Sequence, residues 1–198
     1  MEALTLFGMV GTAAFAVTGA LVALRRDMDI LGVIVLGIVA ASGGGMLRSV
    51  LMGDYPLVFL SDARYLVISL VASVVVFYLR KLMGRLRKII LVADAIGLGV
   101  FLSIGLTMGI TAGYDWWASI LLGVITATFG GVLRDMLAAQ VPLIFQKELY
   151  ATVALAAGLL YIGLSYLAVS QAVVITATTV FAIGFRLLAI RYNWSLPR

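Results

Sequence analysis

Apolar residues run through this chain in stretches of about twenty, and its polar residues gather in short clusters between them. A helix needs about 20 mainly apolar residues to cross the hydrocarbon of a bilayer. Cutting at the charged and turn-like clusters predicts seven membrane-spanning helices, over residues 4–24, 30–52, 63–82, 89–110, 116–138, 148–168 and 172–188. The connecting clusters are too short to hold a soluble domain, so residues 1–198 read as one all-α membrane domain.

The pattern repeats with a shift of 86 residues. Gly11 matches Gly97, Phe15 matches Phe101, Gly19 matches Gly105 and Asp29 matches Asp115. Gly37 with Gly123, Gly44 with Gly130, Arg48 with Arg134, Pro56 with Pro142 and Phe59 with Phe145 continue the series. Between positions 11 and 59, 16 of 49 ungapped positions are identical, where composition alone gives roughly one in ten. Repeat one covers about 4–82 and repeat two about 89–168. Each holds three spans, an odd number, so the second copy enters the membrane upside down. Inverted pairs of this kind are found in transport proteins, with the pathway at the repeat interface. The seventh span has no counterpart.

Composition removes the soluble alternatives. The chain is 64% hydrophobic and only 12% charged, with mean hydropathy +1.17, against about half apolar and a quarter charged in soluble domains. The net charge of +5 therefore reads as a topology signal, and no nucleic-acid partner is expected. With the N-terminus outside, Arg25, Arg26, Arg80, Lys81, Arg85, Arg87, Lys88, Lys147, Arg186, Arg191 and Arg198 fall on the cytoplasmic side. Arg64 is left outside, and Arg48 and Arg134 lie within spans. Trp116 and Trp117 then mark the outer interface and Trp194 the inner one. This predicts a multi-pass protein of the cell inner (plasma) membrane with a cytoplasmic C-terminus. The basic run 80–88 acts as a stop signal for insertion or as a site for anionic lipid. The first span lacks a basic leader and a small-residue cleavage site, and is expected to be retained.

Two stretches break the rules of a membrane helix in the same way: Ser42-Gly43-Gly44-Gly45-Met46-Leu47-Arg48-Ser49 and Phe129-Gly130-Gly131-Val132-Leu133-Arg134-Asp135. Glycine weakens a helix, and arginine is costly in hydrocarbon. The pairing predicts that the second and fifth spans are interrupted at Gly43–Gly45 and Gly130–Gly131, freeing carbonyls and amides that can replace part of an ion's hydration shell. The alternative is that these glycines let helices pack closely. The arginines sit about one turn from opposite ends of their spans, so snorkelling to the interface is their plain alternative.

Asp94 is the remaining acid inside a span, at a depth similar to Arg134, and a pair between them lowers the cost of both charges. Adjacent helical residues point about 100° apart, so Asp135 is not expected simply to face the same way as Arg134. Repeat one has Gly8 where repeat two has Asp94, and Ser49 where it has Asp135. The Arg134 end therefore carries carboxylates that the Arg48 end lacks. Thr18, Ser42, Ser49, Ser103, Thr126 and Thr128 add hydroxyls, most of them expected to bond their own helix backbone. Cysteine and histidine are absent, and no nucleophile beside a base appears, so an enzyme is not expected, nor a cofactor or a tightly bound metal.

These residues resemble a known family. Gly43-Gly44-Gly45-x-x-Arg48 and Gly130-Gly131-x-x-Arg134-Asp135, each followed by a proline and an aromatic, look like the bacterial trimeric intracellular cation (TRIC) channels, a family also labelled putative glycine transporter. The resemblance covers the six repeat spans. Members commonly carry Gly-Gly-Gly-x-x-Arg-Asp in the first motif; here Ser49 stands in place of the acid, and Phe129 in place of the first glycine of the second motif. The resemblance implies a homotrimer of seven-helix protomers. Each protomer would hold its own pore for potassium and other monovalent cations between kinked helices two and five. Gly43, Gly44, Gly45, Arg48, Ser49, Asp94, Gly130, Gly131, Arg134 and Asp135 are then the pathway residues. The alternative is a secondary transporter of a small amino acid such as glycine, with Arg holding the carboxylate and Asp the ammonium.

Overall fold

The structure is a computed structural model that describes residues 2–80, 86–146, 149–167 and 169–194. Lys81, Leu82, Arg85, Lys147, Glu148, Ala168 and Arg198, named above as span ends or topology charges, lie outside the described residues. In chain order the helices are α1 (Glu2–Leu24), α2 (Ile30–Met52), the single turn α3 (Val58–Ser61), α4 (Ala63–Leu79), α5 (Leu86–Thr111), α6 (Trp116–Leu137), α7 (Ala151–Ser165) and α8 (Gln171–Tyr192). A 3-10 turn at Leu143–Phe145 follows α6.

Each of the seven predicted spans coincides with a helix, and among the described residues α1, α2, α5, α6 and α8 are long and apolar enough to cross a bilayer by themselves. α4 and α7 have 17 and 15 residues, about 26 and 22 Å at 1.5 Å per residue. Within the expected span over 148–168 the helix begins at Ala151, with Tyr150 at its N-cap and 3% exposed in the core.

Helix ends follow local chemistry. Asp29 caps α2, its carboxylate accepting the Gly32 N–H at 2.8 Å, where the first orphan amides of a helix need an acceptor. Gly53 closes α2 at φ 68°, the left-handed conformation that glycine adopts at least cost. After α6 the same turn is made by Ala139 at φ 50°, and positions 53 and 139 are 86 apart.

The expected interruptions are absent: α2 and α6 run as continuous α-helices through Gly43–Gly45 and Gly130–Gly131. A glycine in a helix costs only about 1 kcal/mol relative to alanine, whereas an amide freed inside lipid has no partner and costs several. What these glycines provide is contact. A Cβ on Gly44 would collide with the carbonyl oxygen of Thr126, and one on Gly130 with that of Ala40, so α2 and α6 cross backbone to backbone. A Cβ on Gly43 would lie 2.8 Å from Leu133 Cδ1 and 3.3 Å from Gly130 Cα. Gly45 is different, with nothing within 4 Å of that position.

Positions 86 apart exchange contacts elsewhere too. Gly11 of α1 abuts the Phe101 ring of α5, and Gly97 of α5 abuts the Phe15 ring of α1. The two rings stack at 5.3 Å between centroids and 16° between planes. Around them, α1, α5, α7 and α8 supply the main apolar core, which includes Leu98, Leu102, Leu106, Val153 and Ala182. A second cluster of Leu21, Val33, Leu36, Val76 and Ile90 ties α1, α2, α4 and α5 together near the other end of α1.

Candidate functional site

Arg134 sits on the last turn of α6, 1% exposed, and each of its three side-chain nitrogens donates to an acceptor. Its Nη1 donates to Asp94 Oδ1 at 2.8 Å and to Thr18 Oγ1 at 2.9 Å. Nε and Nη2 take the two oxygens of Asp135 at 2.8 and 3.0 Å. The adjacent acid therefore does face the arginine, contrary to the helical-angle expectation. The 100° rule fixes Cβ directions, but the long arginine side chain curls back to meet its neighbour in a two-toothed grip. Asp135 also accepts from Gln140 Nε2 at 2.7 Å and from the Leu143 N–H at 3.0 Å, tying the turn after α6 to the cluster.

Arg186, counted above among the cytoplasmic charges, is 0% exposed on α8, its Nη1 donating to the Leu149 carbonyl at 3.1 Å and its guanidinium 4.8 Å from the centre of the Tyr150 ring. Its signal in the sequence is position: it sits inside an apolar helix between Phe185 and Leu187. Two buried groups at this end, Asp94 Oδ2 and Tyr150 Oη, have no hydrogen-bond partner among the described residues.

The Arg48 end is organised differently. Arg48 is 4% exposed, forms no ion pair or hydrogen bond among the described residues, and its Nε is buried without a partner. It lines a cavity of about 930 Å³ walled by α1, α2, α5 and the start of α4. Thr12, Ser42, Gly45, Asp54, Tyr65 and Thr107 are among its walls. Of the predicted pathway residues only Gly45 and Arg48 line it; Gly43, Gly44, Ser49, Asp94, Gly130, Gly131, Arg134 and Asp135 do not. No α6 residue lines it, because α2 and α6 are in direct contact, so the cavity is not the expected gap between the second and fifth spans.

The cavity and the Arg134 cluster are linked by a short relay of contacts. Phe101 lines the cavity and stacks on Phe15. The Phe15 carbonyl accepts from Thr18 Oγ1 at 2.8 Å, and Thr18 meets Arg134. An aromatic pair thus lies between the cavity and the buried charged cluster. The hydroxyls behave mostly as expected: Thr18, Ser42, Thr126 and Thr128 all donate to carbonyls of their own helices. Ser103 instead pairs with Thr179 at 2.8 Å, and Ser49 Oγ is buried without a partner among the described residues. Tyr65, Tyr150 and Gln140 join the two sites without a sequence signal, since a lone polar or aromatic residue near a helix end has no periodicity that marks it.

The comparisons with known proteins show the family and the fold. A family model described as glycine transporter matches residues 5–81 and 91–166, the two three-helix segments. The UPF0126 inner membrane protein YadS of Escherichia coli strain K12 is 37% identical over 191 residues, covering 96% of this chain and 92% of that protein. The TRIC channel orthologue from Rhodobacter sphaeroides superposes with a TM-score of 0.93 at 31% identity, over 98% of this chain and all of the other. A structure described as the basis for conductance through TRIC cation channels superposes at 0.89 with 36% identity, over 98% of this chain and 96% of that one. These solved relatives are ion channels and not enzymes. Two matched segments at one spacing, a buried arginine in each and whole-chain superposition place this protein in the prokaryotic branch of the trimeric intracellular cation (TRIC) channel family, to which the glycine-transporter description also refers.

Proposed function

We propose that this protein is a passive channel for monovalent cations, potassium among them, acting as a homotrimer with one pathway in each protomer. The observation that carries the reading is the cavity at Arg48, which stops at the stacked Phe15 and Phe101, with the Arg134 cluster beyond them. The hydroxyls of Thr12 and Tyr65 and the carboxylate of Asp54 are suitable groups for a partly dehydrated cation. The relatives described as cation channels supply the class of ion. The pathway then follows α1 and α5 along the face of α2, reaching α6 only at Arg134.

The inverted-repeat reading belongs to this proposal. Supporting it are the reciprocal contacts of Gly44 with Thr126 and Gly130 with Ala40, and of Gly11 with Phe101 and Gly97 with Phe15. A pseudo-two-fold axis between such pairs puts Arg48 and Arg134 at opposite mouths. The protein then sits in the cell inner membrane with its N-terminus outside and the Arg134 end in the cytoplasm, as the basic residues require.

The test is single-channel recording from purified protein in a planar bilayer, with potassium as the main cation. Unitary current far exceeds carrier turnover, so discrete openings are the expected result. Glycine uptake without potassium current would overturn the channel reading in favour of a carrier. Removing the Arg48 charge by Arg48→Gln should lower the barrier by on the order of 1 kcal/mol, since water in the vestibule softens the interaction. That predicts a several-fold rise in potassium flux, measured in proteoliposomes. Unchanged flux would move the pathway away from Arg48.

A further inference from the structure

Arg48 poses a problem that the channel reading leaves open. A guanidinium on a mainly apolar cavity wall has vestibule water as its solvent but no counter-charge bonded to it, and a charge at this depth is costly unless it is paired. Its counterpart Arg134 has two carboxylates and a hydroxyl; Arg48 has no hydrogen bond or ion pair among the described residues. Snorkelling does not answer this, because the side chain remains 4% exposed although α2 ends only four residues later. The repeat shows what is missing. Where Arg134 meets Asp94 and Asp135, the equivalent positions near Arg48 are Gly8 and Ser49. Gly8 lines the cavity, and Ser49 Oγ is itself unpartnered.

We infer that Arg48 binds a small carboxylate anion from the aqueous phase, which takes the place that Asp94 and Asp135 fill at the other end. The cavity, about 930 Å³, admits such an anion together with water that accompanies it from solution. The walls have the composition of a binding site, mainly apolar with a few polar groups. Thr12 and Tyr65 supply hydroxyls free to donate, Ser42 and Thr107 giving theirs to the Ile38 and Ser103 carbonyls, and Arg48 is the single cation among the lining residues. A carboxylate is favoured over a spherical halide because the planar guanidinium fork matches its two oxygens. The lining acid, Asp54, belongs to the exposed turn after α2 and forms no ion pair with Arg48. Its charge opposes an incoming anion. The ligand is therefore small and singly charged, of the size of acetate. This binding does not depend on cation conduction, since an occupied Arg48 suits a channel vestibule and a carrier equally.

The experiment is an acetate titration of detergent-purified protein at constant ionic strength, followed by saturation-transfer NMR on the acetate methyl group. Wild type should show saturable transfer. Arg48→Gln should weaken binding roughly ten- to hundredfold, the range for losing a hydrogen-bonded charge partner. Arg48→Lys should retain part of it, because the charge survives but the fork does not. Asp54→Asn should tighten it, an effect that a merely structural Arg48 does not produce. Chloride should compete only weakly. The inference is overturned if wild type shows no saturable transfer, if Arg48→Gln with an unchanged unfolding temperature binds as wild type does, or if chloride competes as well as unlabelled acetate. Because the titration reads binding and not current, its failure is distinct from a failure to observe channel openings.

Discussion

Arg48 and Arg134 occupy equivalent places in the sequence and live in opposite electrostatic surroundings. Arg134 is held by Asp94, Asp135 and Thr18 with no exposed donor, whereas Arg48 faces a cavity. Breaking a buried ion pair leaves one charge uncompensated, which costs about 3–5 kcal/mol. Arg134→Gln and Asp94→Asn should each lower thermal stability in detergent by that order, and the double variant should lose less than the sum. Additive losses in that cycle would mean the two side chains are not coupled. The pair with Asp94 was legible because both residues lie at the same depth from one membrane face. The grip of Asp135 was not, since it depends on how far a side chain bends after leaving its Cβ.

At the scale of the helix, the glycine runs serve two different purposes within one motif. Gly44 and Gly130 meet a facing carbonyl, so Gly44→Ala or Gly130→Ala should force α2 and α6 apart at a cost of about 1–3 kcal/mol. Gly45 faces open space, and Gly45→Ala should be neutral or stabilise by up to about 1 kcal/mol as helix propensity improves. Thermal unfolding of the variants side by side checks the contrast, and equal losses at Gly44 and Gly45 would refute it. The turns after α2 and α6 give a second comparison. Gly53 adopts its left-handed conformation freely, but Ala139 does so against its Cβ. Ala139→Gly should stabilise the protein by on the order of 1 kcal/mol, less the extra freedom of the unfolded chain. A lower unfolding temperature would show that Ala139 is held by contacts worth more than the strain.

For the whole molecule, the asymmetry between its two ends is the main result. One end carries a wide vestibule and the other a packed charged cluster, with Phe15 and Phe101 between them. The absence of native cysteine makes this simple to probe by labelling. Thr12→Cys and Ser42→Cys should react with a charged, membrane-impermeant thiol reagent added from the Arg48 side only. Ala95→Cys, beside Asp94 and 0% exposed, should remain unlabelled from either side. Reaction at Thr12 from the opposite face would place the vestibule on the other side of the membrane and reverse the proposed orientation.

Length and polarity alone determined that the chain is a helical membrane protein, because a bilayer admits few other ways to satisfy the polar groups of the backbone under apolar side chains. They also placed the seven helices within a few residues, since charges and turn formers are excluded from hydrocarbon and so mark the ends. The 86-residue shift was readable as identity, and it picked out both arginines and Asp94. What only the tertiary structure decided is where space remains. The sequence reads a glycine run as a weak helix, but whether it unwinds or packs depends on a neighbour some eighty residues away. At Gly44 that neighbour is the backbone of Thr126, and at Gly45 there is none within 4 Å. In the same way Arg186 counts as a flanking charge in one dimension and becomes a core residue in three, because the Leu149 carbonyl and the Tyr150 ring are brought to it. Composition and spacing report what each segment can bury. The packing of segments distant in sequence determines which polar groups are satisfied and which face a cavity.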